Sequence, residues 1–332
     1  AGHQPMASEG GRWQLVFNGE IYNHATLRDE LQAEGHRFHG TGDTEVLLAW
    51  LIRHGSSGLH RLRGMFAFCL YDTEEQTALL ARDPHGIKPL YLWRGSSGEL
   101  AFASELRALL ASGLVEPQLN TRSVWDYLVS GSVPEPSTLV SNVQRLPAGY
   151  LAQWNASNFE LVPWSPLPES IEHLVGNMSI QDSYELCRSG LRESVQAHMV
   201  SDVPVGLFLS AGMDSAALLA MAPAGLHTFT IGFDDARAGD FDESQPAAEL
   251  AAMFRAEHTR LQLSAQQARD WLPDFLSAQD QPSIDGYNTW CVSKLARSAG
   301  IKVALSGLGG DELFGGYPSF RAVPRLHRWR CR

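Results

Sequence analysis

The chain has 332 residues, enough for two domains that each bury a core. Its apolar share of 44% and charged share of 19% are typical of a soluble globular protein, and no apolar run approaches the length of a membrane span. The formal net charge of -11 argues against a general nucleic-acid binder, which normally presents a basic face.

The four cysteines, Cys69, Cys187, Cys291 and Cys331, show neither a pairing motif nor the spacing of metal ligands. Three of them lie inside apolar segments, which predicts reduced core thiols in a cytoplasmic protein. No signal peptide is visible. The chain begins at Ala1 rather than at a methionine, and its last residues form no closing element, so we expect a fragment of a longer protein.

The first half predicts a strand-rich domain with two early helices. Residues 12–18 alternate apolar and polar side chains, as a half-buried strand does. One helix is predicted after Asn23, and a second ends before Gly55. Short polar breaks, which indicate antiparallel meander connections, separate four further predicted strands at 65–72, 77–82, 90–93 and 99–104. Helices packed on such sheets give a layered α/β domain.

This half resembles the glutaminase domain of the asparagine synthetases, which are class II glutamine amidotransferases. The resemblance is carried by six segments in the family's order: GHQPM (2–6), FNGEIYN (17–23), GDTEVLL (42–48), LRGMFAFCLYD (62–72), ARDPHGIKPLYL (81–92) and FASELRAL (102–109). It implies an α/β/β/α domain built on antiparallel sheets and truncated at its start.

The resemblance implies that Asn18, Gly19, Glu20 and Asp43 bind the substrate glutamine. Two carboxylates suit its ammonium group, and an amide side chain with a backbone N–H suits a developing oxyanion. From these residues alone, a turn at Asn18-Gly19 and a solvated charge at Glu20 would be favoured.

The family's nucleophile is an N-terminal cysteine, and the resemblance implies that this residue would precede Ala1. Cys69 lies in the middle of a predicted strand, where a packing role is expected. The arginine that the family uses on the glutamine carboxylate is also absent from the motifs. Truncation and loss of glutaminase activity both explain this pattern, and truncation is favoured because losing whole strands would open the sheet. As written, the chain is not expected to hydrolyse glutamine.

A crossing linker follows, with a helix predicted around Val124–Val129, then proline- and glycine-rich turns and a short hairpin. We place the domain boundary near residue 168. The predicted domains are therefore 1–168, an incomplete glutamine amidotransferase type 2 domain, and 169–332, an asparagine synthetase ATP-pyrophosphatase domain that is incomplete at its C-terminus.

Strands and helices alternate in the second half, which predicts a doubly wound parallel sheet with helices on both faces. Ligands of such sheets bind beyond the carboxyl ends of the strands. The predicted strands are 203–209, 226–233, 260–263 and 302–306, and the predicted helices run from Ser183 to His198, from Ser244 to Phe254 and from Asn288 to Ala299, with a further helix after the capping pattern at Ser264 and Gln267.

The stretch VPVGLFLSAGMDS (203–215) predicts a buried strand that turns tightly into a helix. Backbone N–H groups exposed by such a turn bind phosphate. The spacing differs from that of the lysine-containing P-loop, which disfavours a kinase or GTPase. A turn without any ligand is the alternative. The stretch resembles the S-G-G-x-D-S loop (PP-loop) of ATP pyrophosphatases, which split ATP into AMP and pyrophosphate.

With SGLGGDELFGGY (306–317), this loop resembles the synthetase domain of the same family. The resemblance implies catalytic roles for Asp214, Ser215 and Asp311, with Asp214 and Asp311 sharing Mg²⁺ with pyrophosphate. Residues 281–290 are a candidate wall of the aspartate pocket, and Lys294 and Lys302 are candidates for neutralising phosphate. The implied ATP contacts are Leu209, Ser210, Gly212, Asp214, Ser215, Ile231, Ser306 and Gly307.

Two residues depart from the family's pattern. Ala211 replaces a glycine and is tolerable there only with a negative φ. Leu308 stands where the family usually has Glu or Asp, and leucine is neither a base nor a metal ligand. The identity of the activated acid is therefore open.

The resemblance implies ATP-dependent amidation of aspartate through β-aspartyl-AMP, with ammonia from glutamine in the full-length protein. The expected ligands are glutamine, aspartate, ATP and Mg²⁺, without nucleic acid or membrane, and a homodimer is a candidate assembly. Leu308 keeps open a related ligase that acts on another carboxylate, for example one like β-lactam synthetase. A third alternative is a non-catalytic remnant that binds nucleotide or a partner.

Overall fold

The computed structural model describes residues 2–165, 178–234 and 242–330, with side chains described as far as residue 325. The chain divides into two compact units: Ala1–Gly176 with Ala278–Ile284, and Asn177–Ser277 with Asp285–Arg332. The short return segment Ala278–Ile284 therefore belongs to the first unit, although its neighbours in sequence belong to the second. The boundary predicted near residue 168 lies outside the described residues.

The first unit contains every strand predicted between residues 12 and 104, with differences only at the strand ends. Its described elements are β1 Met6–Ala7, β2 Trp13–Ile21, α1 His24–Ala33, α2 Asp43–His54, a 3₁₀ helix at Gly55–Arg61, β3 Gly64–Asp72, β4 Thr77–Arg82, β5 Tyr91–Arg94, β6 Leu100–Ala103, α3 Leu106–Ala111, α4 Thr121–Ser130, β7 Val143–Arg145, β8 Tyr150–Asn155 and β9 Asn158–Pro163.

These strands form two antiparallel sheets, one in the order β1-β2-β3-β4-β8-β9 and one in the order β6-β5-β7. Alternation along β3 explains the layers, because successive side chains point to opposite faces. Phe66 and Phe68 join the core beneath α1 and α2. Ala67 and Cys69 join the core shared with the second sheet. Leu106 of α3 packs on that sheet's other face, which confirms the predicted α/β/β/α order.

The predicted meander through the four strands after the second helix is wrong. β3–β4 and β5–β6 are antiparallel neighbours, but β4 pairs next with β8, whereas β5 pairs with β7 in the other sheet. The connection from β4 to β5 therefore carries the chain between layers. Short polar breaks reverse the chain locally but do not specify the sheet that the next strand joins.

This crossover is held by a fully buried carboxylate, that of Asp83. Its oxygens accept backbone N–H groups from Phe66 (3.2 Å), His85 (3.0 Å), Ile87 (2.9 Å) and Lys88 (3.0 Å). A buried carboxylate requires such donors, because burial without hydrogen bonds is costly. Asp83 thus fixes both the turn and its attachment to β3.

The second unit shows the predicted alternation of strands and helices. Its described elements are α5 Ile180–His198, β10 Val205–Phe208, α6 Met213–Met221, β11 His227–Phe233, α7 Ser244–Met253, β12 Glu257–Leu263, α8 Ala265–Ala278, α9 Tyr287–Ser298, β13 Val303–Leu305, α10 Gly310–Phe314 and α11 Ser319–Arg330.

The four strands form a parallel sheet in the order β12-β11-β10-β13. One face packs Leu207 against Leu219 of α6 and Ala247 of α7. On the other face Phe229 packs against Val292 of α9. Helices on both faces confirm the predicted doubly wound sheet, and they leave the carboxyl ends of the strands available for a site.

Free thiols are present at Cys69, Cys187 and Cys291. The prediction of core thiols is confirmed for Cys69 and Cys291 but is wrong for Cys187, which lies on an exposed part of α5 beside the exposed Tyr184. Cys331 lies outside the described residues. Over the described ranges, no helix combines the length and apolar character needed to cross a membrane.

Candidate functional site

Loops at the carboxyl edge of the parallel sheet line a cavity of about 580 Å³ in the second unit. They follow β10, β11 and β13, whose carboxyl ends lie side by side because the strands are parallel. The structure thereby brings together all the residues that the sequence assigned to ATP or Mg²⁺: Leu209, Ser210, Gly212, Asp214, Ser215, Ile231, Ser306, Gly307 and Asp311.

The loop between β10 and α6 is held by the buried hydroxyl of Ser215. This oxygen accepts the N–H of Ser210 (3.2 Å) and lies 3.0 Å from the Ser210 hydroxyl. It also lies within hydrogen-bond distance of the carbonyls of Ser210 (3.1 Å) and Gly212 (3.2 Å). The Gly212 N–H in turn donates to Ser210 Oγ (3.1 Å). Ser215 therefore shapes the loop that begins α6.

The sequence required a negative φ at Ala211. The structure meets this requirement, because Ala211 does not have a positive φ. Its Cβ is thus compatible with the loop. The N–H of Ala211 donates to Glu243 Oε2 at 3.2 Å. This contact joins the loop to the start of α7, a neighbour that the sequence pattern did not reveal.

Glycines of the loop after β13 allow it to approach Asp214 closely. A Cβ on Gly307 would lie 3.0 Å from Ser215 N and 3.2 Å from Asp214 Cβ, and one on Gly310 would overlap the Asp214 carboxylate. Asp214 itself lies in the first turn of α6, where the helix dipole favours negative charge. A Cβ at Gly310 would therefore require Asp214 to shift, and one at Gly307 would leave little clearance.

Carboxylates dominate the charge of the cavity. Asp214, Glu243, Asp311 and Glu312 line it, while no lysine, arginine or histidine does so among the described residues. Tyr317 donates to Glu312 Oε1 at 3.0 Å, and this hydrogen bond, followed by burial and the nearby carboxylates, raises the pKa of the tyrosine. A phosphate ligand here requires added positive charge.

The lysines proposed from the sequence do not supply it. Lys294 Nζ lies 4.4 Å from the ring centre of Trp271 and 4.8 Å from that of Trp290, and 3.6 Å from a carboxylate oxygen of Asp274. Neither Lys294 nor Lys302 lines the cavity. Lys294 instead stabilises the contact between α8 and α9 through cation–π interactions.

A divalent cation fits the carboxylates that are present. Within the described ranges, no group of three His, Cys, Asp or Glu side chains is arranged to hold a metal by itself. Mg²⁺ commonly uses only one or two protein carboxylates and completes its shell with phosphate oxygens and water. Asp214 and Asp311, which line one cavity, suit a metal that arrives with a phosphate ligand.

The lining also includes residues that were not predicted individually, among them Glu243, Asn288, Thr289 and Tyr317. Asn288 and Thr289 come from the segment 281–290 that the sequence proposed for the acid pocket. Only the part of this segment after residue 284 belongs to the second unit, because the return segment Ala278–Ile284 belongs to the first. Within the second unit, this segment lines the cavity through the first turn of α9.

The four residues predicted to bind glutamine lie near one end of β2 in the first unit. Asp43, at the start of α2, accepts the N–H of Ile21 (2.9 Å), which follows Glu20 in the chain. The Asn18 amide donates to Ser104 Oγ (3.1 Å) and retains a second N–H for a ligand. The backbone of Gly19 lies against the Met65 carbonyl so closely that a Cβ would overlap it.

Cys69 does not have the properties of a nucleophile. It is buried between the two sheets, and burial raises the pKa of its thiol to about 12. The reactive species of cysteine is the thiolate, which such a pKa suppresses at neutral pH. The packing role predicted for this residue is confirmed.

Proteins of similar sequence include several asparagine synthetases. A Mycobacterium tuberculosis protein provisionally named asparagine synthetase (glutamine-hydrolyzing) is 40% identical over 335 residues, covering 96% of this chain and 50% of that protein. Asparagine synthetase (glutamine-hydrolyzing) 1 of Bacillus subtilis is 35% identical, with coverages of 96% and 50%. A Penicillium rubens protein named Amidase chyE is 31% identical, with coverages of 97% and 50%.

Two family models match successive parts of the chain. Residues 1–165 match the glutamine amidotransferase domain, and residues 186–332 match the asparagine synthase domain. The chain belongs to the asparagine synthetase family. It spans about half the length of the relatives named above.

Within this family, Leu308 is the departure that the structure places at the cavity. Its side chain is 76% exposed, and its N–H donates to Ser306 Oγ at 3.3 Å. An exposed leucine in a cavity wall is available to contact a ligand, but it supplies no charge. The asparagine synthetase resemblance implies a carboxylate at this position, so the cavity departs from that pattern at Leu308.

The edge of the site near Glu243 is anchored by the preceding residue, Asp242. Its carboxylate accepts the N–H groups of Phe233 (3.1 Å) and Ser244 (2.9 Å) and lies 3.6 Å from Arg260 Nη2. Burial alone would raise the pKa of Asp242, but hydrogen bonds from Ser244 and Phe233 and the charge of Arg260 lower it below its usual value. The carboxylate thereby ties the end of β11 to the start of α7.

This depressed pKa predicts a pH-dependent stability. The stabilisation is complete above the unfolded pKa of about 3.9 and is lost as the pH falls through the lower folded value. We expect the difference in urea midpoint between the wild type and Asp242→Asn to shrink as the pH is lowered from 6 to 3. Asp202→Asn, at an exposed position, provides the control. A constant difference across this range would contradict the assignment.

Proposed function

We propose that the chain is part of an ATP-dependent, glutamine-hydrolysing amide ligase that converts aspartate to asparagine. The observation that carries the proposal is the convergence of the Ser210–Ser215 loop, the end of β11 and the loop after β13 on one cavity. The family membership of both halves supports the same activity.

In this proposal the second unit binds ATP at the carboxyl edge of its sheet. Backbone N–H groups at the start of α6 would donate to phosphate oxygens, as helix N-termini with small residues do. Leu209 and Ile231 would contact the adenine from the ends of β10 and β11, since both line the cavity. Ser306 and Gly307 would contact the nucleotide from the loop after β13.

Asp214 and Asp311 would hold Mg²⁺ in this arrangement. The ion supplies positive charge to the pyrophosphate, which the described lining does not provide through cationic side chains. The residues of the chain then orient the reactants. The side-chain carboxylate of aspartate attacks the α-phosphorus and releases pyrophosphate, and ammonia attacks the resulting acyl-adenylate and releases AMP.

The first unit would supply the ammonia in the whole protein. Asn18, Gly19, Glu20 and Asp43 would bind glutamine near the end of β2, which the bond from the Ile21 N–H to Asp43 supports. The expectation that the nucleophilic cysteine precedes Ala1 remains a prediction, as does a homodimer. We also propose a cytoplasmic location, which free thiols at Cys69, Cys187 and Cys291 support.

Exchange of labelled pyrophosphate into ATP tests the proposal without requiring the glutaminase half. We expect the chain to catalyse Mg²⁺-dependent exchange when aspartate is present. Glutamate or acetate in place of aspartate should give no exchange. The reaction reports acyl-adenylate formation directly, because only a reversible release of pyrophosphate moves the label. If ATP binds but no acid supports exchange, the proposed activity is wrong, and the chain is a non-catalytic protein that binds nucleotide.

A second candidate, a ligase acting on another carboxylate, is favoured by Leu308 and its exposed position in the cavity. The relative named Amidase chyE shows that proteins with other names share this sequence pattern. Screening the same exchange reaction across carboxylic acids of graded polarity separates the two. Exchange with aspartate alone would contradict this second candidate. Faster exchange with a less polar acid than with aspartate would support it.

A further inference from the structure

The Glu243 side chain accepts a hydrogen bond from the Ser210–Ser215 loop, which the proposed function assigns to phosphate binding. Its Oε2 accepts the N–H of Ala211 at 3.2 Å, across 32 residues of sequence. Glu243 is exposed and lines the cavity. A solvated carboxylate has water as an alternative partner, so its placement on this particular N–H deserves a physical explanation.

The three consecutive N–H groups at the start of the loop have different partners. Those of Ser210 and Gly212 donate to the hydroxyls of Ser215 and Ser210, at 3.2 and 3.1 Å. The N–H of Ala211 instead donates to a carboxylate from another element. A carboxylate oxygen and a phosphate oxygen are equivalent acceptors for a backbone N–H. A phosphate bound at the start of α6 would therefore compete with Glu243 for this N–H.

The backbone beneath Glu243 is well anchored. Asp242 accepts N–H groups from Phe233 and Ser244, and the Ser244 hydroxyl donates to the same carboxylate. Glu243 immediately precedes α7, so its main chain is fixed on both sides. Only the Glu243 side chain has to move for the Ala211 N–H to donate to another acceptor.

We infer that Glu243 is a positioning residue that competes with pyrophosphate for the N–H of Ala211 and thereby weakens pyrophosphate binding. This inference rests on the proposed function, since it assumes that the loop binds the phosphates of ATP. The carboxylate accepts the Ala211 N–H when no phosphate is bound to the loop. After acyl-adenylate formation it returns to this N–H and favours release of the pyrophosphate product.

The test measures binding of Mg²⁺–pyrophosphate and of adenosine to the full chain by isothermal titration calorimetry. We expect Glu243→Gln and Glu243→Ala to bind pyrophosphate roughly tenfold more tightly, in line with hydrogen bonds that involve charged groups. Adenosine affinity should stay the same, because adenosine carries no phosphate. Glu249→Gln, at an exposed position of α7, is the control for general effects of a lost negative charge near this helix.

Glu312→Gln separates competition for the N–H from simple charge repulsion. Glu312 lines the same cavity, but the contact found for its carboxylate is with Tyr317 rather than with a loop N–H. An equal gain in affinity for Glu312→Gln, or no gain for either Glu243 variant, would overturn the inference. Failure of the wild type to bind both Mg²⁺–pyrophosphate and Mg²⁺–ATP would instead overturn the proposed function, and the inference with it.

Discussion

Replacing Asp214 by asparagine is expected to lower the rate of Mg²⁺-dependent ATP–pyrophosphate exchange by at least about 100-fold. Outer-shell partners of metals cost about 10–100-fold when removed, and a carboxylate that binds the ion directly should cost more. Asparagine has the same shape, so the change removes charge while the helix start is retained. The initial exchange rate at saturating Mg²⁺–ATP measures the effect.

The matched control is Asp274→Asn in the same unit, whose carboxylate pairs with Lys294 and does not line the cavity. Gly310→Ala provides a second approach, because its Cβ would displace the Asp214 carboxylate without altering its charge. Gly190→Ala, at a helical position with open space around the added Cβ, controls for the substitution itself. Exchange at the wild-type rate in Asp214→Asn would show that Asp214 does not serve the nucleotide's metal.

The convergence of the nucleotide-site residues followed from the sequence because two local signals suffice for it. Apolar runs at 203–209 and 302–306 identify parallel strands, and the small residues after each run mark its carboxyl end. Parallel strands align these ends along one edge, so distant loops meet without any contact having to be predicted. The roles of Asp214 and Asp311 were implied by the family resemblance, and the strand pattern placed their loops at one edge, where both residues line the cavity.

Glu243 had no comparable signal. It is one exposed acidic residue before an ordinary helix, and its partner Ala211 lies 32 positions earlier in the chain. Hydrogen bonds of exposed side chains depend on the final placement of both elements, which local periodicity does not determine. Lys294 illustrates the same limit, since its position between Trp271 and Trp290 depends on how α8 packs on α9.

In the first unit, too, local features could be predicted from the sequence and long-range ones could not. Strand positions follow from alternation and β-branched or aromatic content, which are local properties. Sheet membership does not, and the crossover from β4 to β5 was therefore missed. The return segment is a second case: Asp280 accepts the N–H groups of Leu106 (2.7 Å) and Arg107 (2.9 Å) at the start of α3. Such a cap, more than 170 residues away in sequence, leaves no local pattern.

Replacing Asp83 by alanine is expected to destabilise the first unit by roughly 4 kcal/mol, because four backbone N–H groups lose a buried acceptor and each unsatisfied donor costs about 1–3 kcal/mol without full additivity. Asp83→Asn should cost roughly half as much, since one carbonyl oxygen remains to accept hydrogen bonds. Hydrogen exchange of the amides of β3 and β4 as a function of urea measures the free energy of unfolding for this unit.

The graded series distinguishes the loss of an acceptor from the loss of a charge. Asp29→Asn, at an exposed position of α1, removes one negative charge from the same unit and should change the stability by less than about 0.5 kcal/mol. If the crossover depends on acceptor oxygens, alanine must destabilise more than asparagine, and the amides of Phe66 and Ile87 must exchange fastest in both variants. Equal losses of unfolding free energy in Asp83→Ala and Asp83→Asn would contradict this account. They would show that the charge of Asp83, rather than its number of acceptor oxygens, stabilises the crossover from β4 to β5.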